Sequence, residues 1–302
     1  MVETFRTEPL NMEFVVKNIV DGIGKYVEDN HLKCCVIGLS GGIDSTVCAA
    51  LCKMAKVPLI GVSLPSTTNE SVEKSAASLA GAEFCDAFKE VSIDSMFTAM
   101  KNFCDHSVSE QESTPISQGN IKARLRMITL YDIASKSQGI VIDTDNLTEH
   151  FLGFFTIHGD DSDFNPIGGL WKHEVYALAN YLKEKVFTDS KALGNSIALI
   201  PTDGNGVAAG GDLAQIAPGK TYDDVDEILG AWVGLDSTIM KIVLRDDFEY
   251  GVFKKLCDKH SKDIVKKVVM RSVNSEFKRK QRPFIIDIHR GYICEKNGSI
   301  LG

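Results

Sequence analysis

The hydrophobic positions along the chain follow two spacings that alternate with each other. Apolar residues recur at helical spacing over residues 11–30, and short uninterrupted apolar runs then appear at 34–39, 59–64 and 139–143. Helical patterns fill the intervals, up to about residue 54 and over 71–80, 90–104 and 119–136. This alternation predicts an α/β protein with a doubly wound parallel sheet flanked by helices.

The second half of the chain carries helical patterns in place of strands. Segment 204–219 is so rich in Gly and Ala that it predicts a mobile loop, which could act as a lid, and a helical pattern resumes at Tyr222. We therefore expect a single domain over residues 1–302. Its α/β core would span 12–185, and a mobile loop with extra C-terminal helices would span 186–302.

Composition excludes several classes of protein. The 302 residues carry a net charge of −8, which argues against a nucleic-acid partner, because non-specific binding depends on Lys and Arg neutralising phosphates. The eight cysteines form no CxxC pair, and this favours free thiols in a reducing compartment. Apolar runs stop well short of the roughly 20 residues of a membrane span, and the N-terminus has no basic-then-apolar leader. We expect a cytoplasmic protein without a membrane partner.

The segment 34–46, CCVIGLSGGIDST, predicts a strand, a glycine turn and a helix start. Glycines let the backbone approach a ligand closely, and a helix N-terminus offers unpaired N–H donors, so this arrangement predicts a phosphate-binding loop. The Walker lysine is absent after the glycines. A tight turn with glycines for geometry alone would leave the acid and the hydroxyls unexplained. The candidate phosphate ligands are Ser40, Gly41, Gly42, Ser45 and Thr46, with Asp44 at the helix start.

A second candidate position follows the run GIVID. Its carboxyl end delivers Thr144, Asp145 and Asn146 to the edge where open α/β sheets bind ligands.

Four motifs carry a resemblance to a known family. SGG-x-DS resembles the pyrophosphate loop of the N-type ATP pyrophosphatases. Together with GNIKARLRM, DTDNLTEHFLGFFT, and PTDG followed by TYDDVD, it makes residues 12–285 similar to the ammonia-dependent NAD synthetases. The resemblance implies an adenine nucleotide alpha hydrolase-like, Rossmann-like fold.

The resemblance also implies an activity. Such ligases adenylate the nicotinate carboxylate of deamido-NAD with ATP and Mg²⁺, and ammonia then displaces AMP to give NAD. ATP would be the co-substrate and Mg²⁺ the cofactor. The family builds its dinucleotide site across a two-fold interface, so we expect a homodimer.

Site roles follow from the resemblance, residue by residue. Asp44 and Glu149 would coordinate Mg²⁺, and Lys172 would lie near the reacting phosphates, so that Asp44 and Lys172 are the catalytic candidates. Thr144 and Thr202 would join the loop residues in contacting ATP. The candidate residues for the dinucleotide substrate are Asn120, Arg124, Asp160, Asp224, Lys278 and Arg279. For the last two, an ordinary solvated basic run is the alternative.

The chain departs from the family pattern at Ser63, where many members have Arg, and at Phe277, where the family has His. SLPSTTNES resembles the glutamine-dependent enzymes, yet the chain has no room for a glutaminase domain, so we expect free ammonia unless a separate subunit supplies it. Three alternatives stay open: a GMP-synthetase-like enzyme, a tRNA-modifying enzyme, and a nucleotide-binding regulator without turnover.

Overall fold

A computed structural model describes residues 10–67, 71–108, 111–199 and 211–280, together with the backbone at 293–294 and 300–301. Within these residues, no helix combines the length and the apolar character that a membrane span requires. The cytoplasmic location stays a prediction.

Four parallel strands form the central sheet in the order β3-β2-β1-β4. They are β1 (Cys34–Gly38), β2 (Leu59–Ser63), β3 (Ala87–Glu90) and β4 (Gly139–Ile142). Cys35 of β1 lies opposite Leu59 on one side and Ile140 on the other. β1 and β4 are nearly continuous buried runs, as expected for parallel strands covered on both faces.

Helices connect and follow the strands. The first half contains α1 (Met12–Asp29), α2 (Ile43–Met54), α3 (Ser71–Phe84), α4 (Asp94–Phe103) and α5 (Pro115–Ser137). The second half contains α6 (Leu147–Leu152), α7 (Lys172–Lys185), α8 (Lys191–Ala198), α9 (Gly211–Ile216), α10 (Tyr222–Val233), α11 (Ser237–Arg245), α12 (Val252–His260), α13 (Lys262–Asn274) and α14 (Glu276–Arg279). Ile293–Cys294 and Ile300–Leu301 form a short antiparallel pair, β5 and β6.

Both faces of the sheet are covered, because successive strand residues point to opposite sides. Cys35 and Ile37 join the larger core with α1, α2, α7 and α8, whereas Cys34 and Val36 pack with Ala134 of α5. The doubly wound α/β fold predicted from the hydrophobic pattern is confirmed.

A second hydrophobic cluster lies among the C-terminal helices. It joins α6 and α9 to α10, α11, α12 and α13, with Trp232, Phe248 and Phe253 among its largest members. Leu152 of α6 belongs to this cluster, although α6 directly follows β4. The C-terminal helices are thereby packed onto the element that leaves the carboxyl end of the sheet.

Three local predictions were wrong. β3 was not predicted, and its exposed edge residues explain the weak apolar signal. The polar residues of 106–118 predict a loop, but the structure has a π-helix, Cys104–Val108, at one end of this segment and α5 at the other. Helix α5 starts early because Thr114 caps it and Pro115 suits the first helical position. Within the predicted 204–219 loop, residues 211–216 are helical, since Ile216 is buried in the C-terminal cluster; residues 204–210 lie outside the described part.

Candidate active site

A cleft of about 530 Å³ opens at the carboxyl ends of β1, β2 and β4. Such edges are where open α/β sheets bind ligands. From the sequence candidates, the cleft is lined by Ser40, Gly42, Asp44, Ser45, Asn120, Thr144, Glu149, Asp160, Lys172 and Lys278. Residues more than 200 positions apart in the chain therefore line one cleft.

The loop between β1 and α2 turns sharply at two glycines. Gly41 has φ +87°, and a Cβ there would lie 2.4 Å from the carbonyl oxygen of Glu73. Gly42 is the N-cap of α2, and no side chain of the described residues caps that helix start. The first turn of α2 thus presents its N–H groups and the positive end of its dipole toward the cleft.

Hydroxyl groups hold this loop in shape. The Gly42 N–H donates to Ser40 Oγ at 3.1 Å, and Ser45 Oγ lies 3.2 Å from Ser40 Oγ. Thr46 Oγ1 donates to the Gly42 carbonyl at 2.9 Å and is buried, so Thr46 stabilises the turn and does not line the cleft. Gly41 likewise shapes the loop from beneath, against α3.

Two carboxylates and one ammonium group meet beside the loop. Lys172 Nζ donates to Asp44 Oδ2 at 2.5 Å and to Glu149 Oε1 at 3.1 Å. Asn146 Nδ2 donates to the other oxygen of Asp44 at 2.9 Å. Asn146 also forms a capping box with Glu149 at the start of α6, which fixes the Glu149 carboxylate.

Burial and charge perturb this group of side chains. Burial raises the pKa of Glu149 to about 7, with the Asp44 carboxylate adding to the shift and Lys172 opposing it. Burial alone would lower the pKa of Lys172, but the carboxylates of Asp44 and Glu149 outweigh it and hold that pKa well above its ordinary value. Lys172 is therefore a cation, and a shifted carboxyl in a cleft is typical of a functional site.

The donor set suits a hard divalent cation. Mg²⁺ is commonly bound through one or two carboxylates plus the phosphates of a substrate, and Asp44 and Glu149 supply two carboxylates at the mouth of a phosphate loop. Among the residues that the structure describes, no group of three or more His, Cys, Asp or Glu side chains is arranged to hold a metal ion.

The far wall of the cleft holds three of the predicted substrate residues. Asn120 Oδ1 accepts from Thr156 Oγ1 at 3.0 Å, and Asp160 accepts from the Thr156 N–H at 2.6 Å. Burial raises the pKa of Asp160. Lys278 donates to the carbonyls of Gly153 and Phe155 at 2.7 and 2.5 Å, which places its ammonium group at the rim.

Three predicted substrate residues do not line the cleft. Arg124 is exposed on α5 and donates to the Ile157 carbonyl at 3.2 Å. Asp224 accepts from the Thr221 N–H and hydroxyl in a capping box at the start of α10. Arg279 donates to the carbonyl of Phe151 and to the end of α13. Thr202 lies outside the described residues.

The two positions that depart from the family pattern differ in their surroundings. Ser63 is buried at the end of β2 and lines the cleft, whereas Phe277 is exposed on α14.

Two residues of the site were missed. Arg126 lines the cleft and donates to the Leu64 carbonyl at 3.0 Å, two positions beyond the arginine that the motif suggested. Helical periodicity could have separated the two, because residues two apart face different sides of a helix. Asp226 is fully buried against α6 and α7, and the available signal was its helical spacing to the apolar Leu229 and Val233, three and seven positions later.

Comparison with known proteins gives one family. The model of the NAD synthase family matches residues 15–282. An NH(3)-dependent NAD(+) synthetase from Wolinella succinogenes is 30% identical over 280 residues, which cover 90% of this chain and 95% of that protein.

Solved structures agree with this fold. The NH3-dependent NAD synthetase from Campylobacter jejuni superposes with a TM-score of 0.67 at 28% identity, over 92% of this chain and 100% of that one. The NMN synthetase from Francisella tularensis superposes with a TM-score of 0.71 over 92% and 99% of the two chains, and at 23% identity this likeness shows the fold. With a matching family model over most of its length and a phosphate loop, carboxylates and lysine gathered in one cleft, the chain belongs to the NAD synthase family.

Proposed function

We propose that this protein converts deamido-NAD to NAD with ATP and ammonia, releasing AMP and pyrophosphate. As a member of the NAD synthase family, the chain is a ligase. The observation that supports the reaction most directly is the meeting of the α2 N-terminus, Asp44, Glu149 and Lys172 at one mouth of the cleft.

The proposed chemistry has two steps. A nicotinate carboxylate oxygen attacks the α-phosphorus of ATP, and the bond to the bridging oxygen of the β-phosphate breaks, so that pyrophosphate leaves. Ammonia then attacks the acyl carbon, the bond to the AMP oxygen breaks, and the amide nitrogen loses a proton. The poor electrophile is thus activated at the expense of a phosphoanhydride bond.

The loop supplies positioning and charge for the first step. The N–H groups at the start of α2 and the hydroxyls of Ser40 and Ser45 would bind the β- and γ-phosphates, since a helix N-terminus favours anions. Lys172 would leave its carboxylate partners for the phosphates. A preorganised cation beside a departing pyrophosphate stabilises the charge that develops there.

Asp44 and Glu149 would hold Mg²⁺. That ion would neutralise phosphate charge and orient the nucleotide. Thr144, which follows β4 and lines the cleft, would contact the nucleotide.

The wall formed by Asn120, Asp160, Arg126 and Lys278 would receive the acid substrate. Arg126 and Lys278 supply positive charge for its carboxylate and phosphates. Burial raises the pKa of Asp160 in the same wall, and the charge of Arg126 opposes that shift.

A homodimer is part of the proposal. Helix α4, all of which is described, buries none of its residues, yet Met96, Met100 and Phe103 form a stripe along it at helical spacing. Ile116 and Ile128 are 66% and 56% exposed on the neighbouring α5. A second copy of the chain would cover these helices, and the exposed Arg124 would then face the partner's substrate.

The dimer is tested by light scattering coupled to gel filtration. We expect the wild type to have twice the chain mass of 33.1 kDa. The Phe103→Lys variant should have a measured mass closer to that of the single chain. Lys25→Ala, in an exposed ion pair of α1, is the control. A wild-type monomer at micromolar concentration would contradict the dimer.

The reaction is tested by following NAD, AMP and pyrophosphate with deamido-NAD, ATP, Mg²⁺ and ammonium. Parallel mixtures replace ammonium by glutamine, or deamido-NAD by nicotinate mononucleotide. We expect NAD with ammonium only and a preference for the dinucleotide. Asp44→Asn should abolish AMP formation, whereas Asp29→Asn, in an exposed ion pair of α1, should leave it unchanged.

Each other outcome has a definite meaning. Turnover of the mononucleotide alone would keep the amidation and change the substrate. AMP formed only with another acceptor would favour a GMP-synthetase-like or tRNA-modifying enzyme. Tight nucleotide binding without AMP would favour the regulator.

A further inference from the structure

Asp226 of α10 is a buried carboxylate that the proposed reaction does not use. Its side chain is 0% exposed, and all of its recorded contacts are with α6 and α7. Oδ1 accepts from Thr148 Oγ1 at 2.5 Å, and Oδ2 accepts from the His173 N–H at 3.0 Å. The same Oδ2 lies 2.8 Å from His173 Nδ1, which must be the donor because an ionised carboxylate only accepts.

These bonds lead directly to the reacting end of the cleft. The Thr148 hydroxyl, which donates to Asp226, also accepts the Lys172 N–H at 2.8 Å. Lys172 is the first residue of α7 and His173 the second, so Asp226 and Thr148 together bind the two N–H groups that begin this helix. On the other side, Thr148 immediately precedes Glu149 in α6.

A buried carboxylate is costly unless its hydrogen bonds are satisfied. Here a hydroxyl, a backbone N–H and an imidazole N–H satisfy it, and the positive end of the α7 dipole favours it. An apolar side chain would pack in the same helix interface without that cost. The charge is therefore better explained by what it orients than by packing.

We propose that Asp226, acting through Thr148 and His173, is a positioning residue that sets where the Lys172 ammonium and the Glu149 carboxylate stand relative to the α2 loop. This rests on the proposed function, since Lys172 and Glu149 are its reacting-end groups. The C-terminal helices thereby determine geometry at the edge of the sheet. Asp224, which the TYDDVD motif suggested, caps its own helix, whereas Asp226, two residues later, bonds Thr148 and His173, the neighbours of Glu149 and Lys172.

The hydrogen-bond chain can be cut with little change in shape. Thr148→Val removes the hydroxyl and keeps the volume, whereas Thr148→Ser keeps the hydroxyl. Asp226→Asn removes the charge and turns an amide N–H₂ or oxygen toward donors that need acceptors. Asp223→Asn is the matched control, because it makes the same change on the exposed face of the same helix.

The test measures kcat and the KM for ATP from AMP formation, with urea unfolding to confirm that each variant is folded in the assay. We expect Thr148→Val and Asp226→Asn to lower kcat by about 10- to 100-fold, the range for a misplacement near 1 Å, with the KM for ATP little changed because the α2 loop is untouched. Thr148→Ser should recover most of kcat. Asp223→Asn should match the wild type.

A purely structural role predicts a different result. Thr148→Val and Asp226→Asn would then unfold at lower urea concentration, with kcat per folded enzyme equal to that of the wild type, and the inference would be overturned. Equal losses for Thr148→Val and Thr148→Ser would also overturn it. If the wild type forms no AMP, the proposed function fails and the inference fails with it. If the wild type forms AMP and both variants have the same kcat as the wild type, the inference alone fails.

Discussion

Replacing Lys172 by Met should strengthen metal binding while stopping catalysis. The Lys172 ammonium group lies between the two carboxylates that would hold Mg²⁺, 2.5 Å from Asp44 Oδ2 and 3.1 Å from Glu149 Oε1. A divalent cation arriving without nucleotide must displace it, and no phosphate is present to receive it. Lys172 therefore competes with the metal until ATP binds.

The size of the effect follows from the bonds that the metal must break. A hydrogen bond to a charged partner contributes about 1.5–3 kcal/mol. Because about 1.4 kcal/mol corresponds to a tenfold change in Kd, losing one such bond weakens metal binding about 10- to 100-fold. Methionine keeps the length of the side chain and removes the charge, so Lys172→Met should lower the Kd for Mn²⁺ by that factor.

The pKa of Glu149 determines the pH at which the metal affinities of the two proteins should be compared. Its pKa is about 7 beside Lys172, which opposes the upward shift, so loss of Lys172 moves that pKa further up. Protons then compete with the metal in the variant. The increase in Mn²⁺ affinity of Lys172→Met over the wild type should be largest at about pH 8.5. It should become smaller as the pH falls toward 6.5, because the protonated carboxyl does not bind metal.

The assay is electron paramagnetic resonance of free Mn²⁺ during titration, without and with a non-hydrolysable ATP analogue. Lys74→Met, a lysine of the same cleft without a recorded bond to Asp44 or Glu149, is the control for the lost charge. An unchanged or weaker affinity of Lys172→Met for Mn²⁺ alone, beside an unchanged control, would refute the competition. Addition of the analogue should narrow the difference, since the phosphates then bind Lys172 in the wild type.

Two further predictions concern the loop and the start of α7. Gly41→Ala should cost about 3 kcal/mol or more of unfolding free energy, because φ +87° disfavours a side chain and its Cβ would lie 2.4 Å from a backbone oxygen. Gly22→Ala is the control, because a Cβ at Gly22 in α1 would have no other atom within 4 Å, and it should raise the free energy of unfolding by about 0.5–1 kcal/mol. Equal changes in the urea unfolding of the two variants would contradict the strain at Gly41. The hydrogen bond to Asp226 raises the pKa of His173, with Glu174 and Asp223 adding to it, so the stability that protonated His173 contributes is complete below its ordinary pKa of about 6.5 and is lost as the pH rises through the raised value. Relative to His173→Asn, which keeps a donor without titrating, the wild type should be more resistant to urea at about pH 6 than at about pH 8.5; a difference that does not depend on pH would contradict this.

The sequence alone predicted strands β1, β2 and β4 and the glycine turn between β1 and α2, whereas the exposed edge strand β3 gave too weak a signal. Buried apolar runs specify strands by their spacing, and the glycine turn with Asp44 and Ser45 is a local device whose geometry depends on a few consecutive residues. Resemblance added Glu149 and Lys172, and the structure places both against Asp44.

Only the tertiary structure decided which polar residues reach the cleft. Arg126 faces it and Arg124 faces outward because the packing of α5 against β1 and β4 sets the rotation of that helix, which one motif does not fix. Arg279 binds helix-end carbonyls for the same reason: α14 is held against α6 by contacts more than 120 residues apart in the chain. The role of Asp226 depends on the packing of α6, α7 and α10 against one another. This packing, and not the residues next to Asp226 in the sequence, determines its burial and its hydrogen-bond partners.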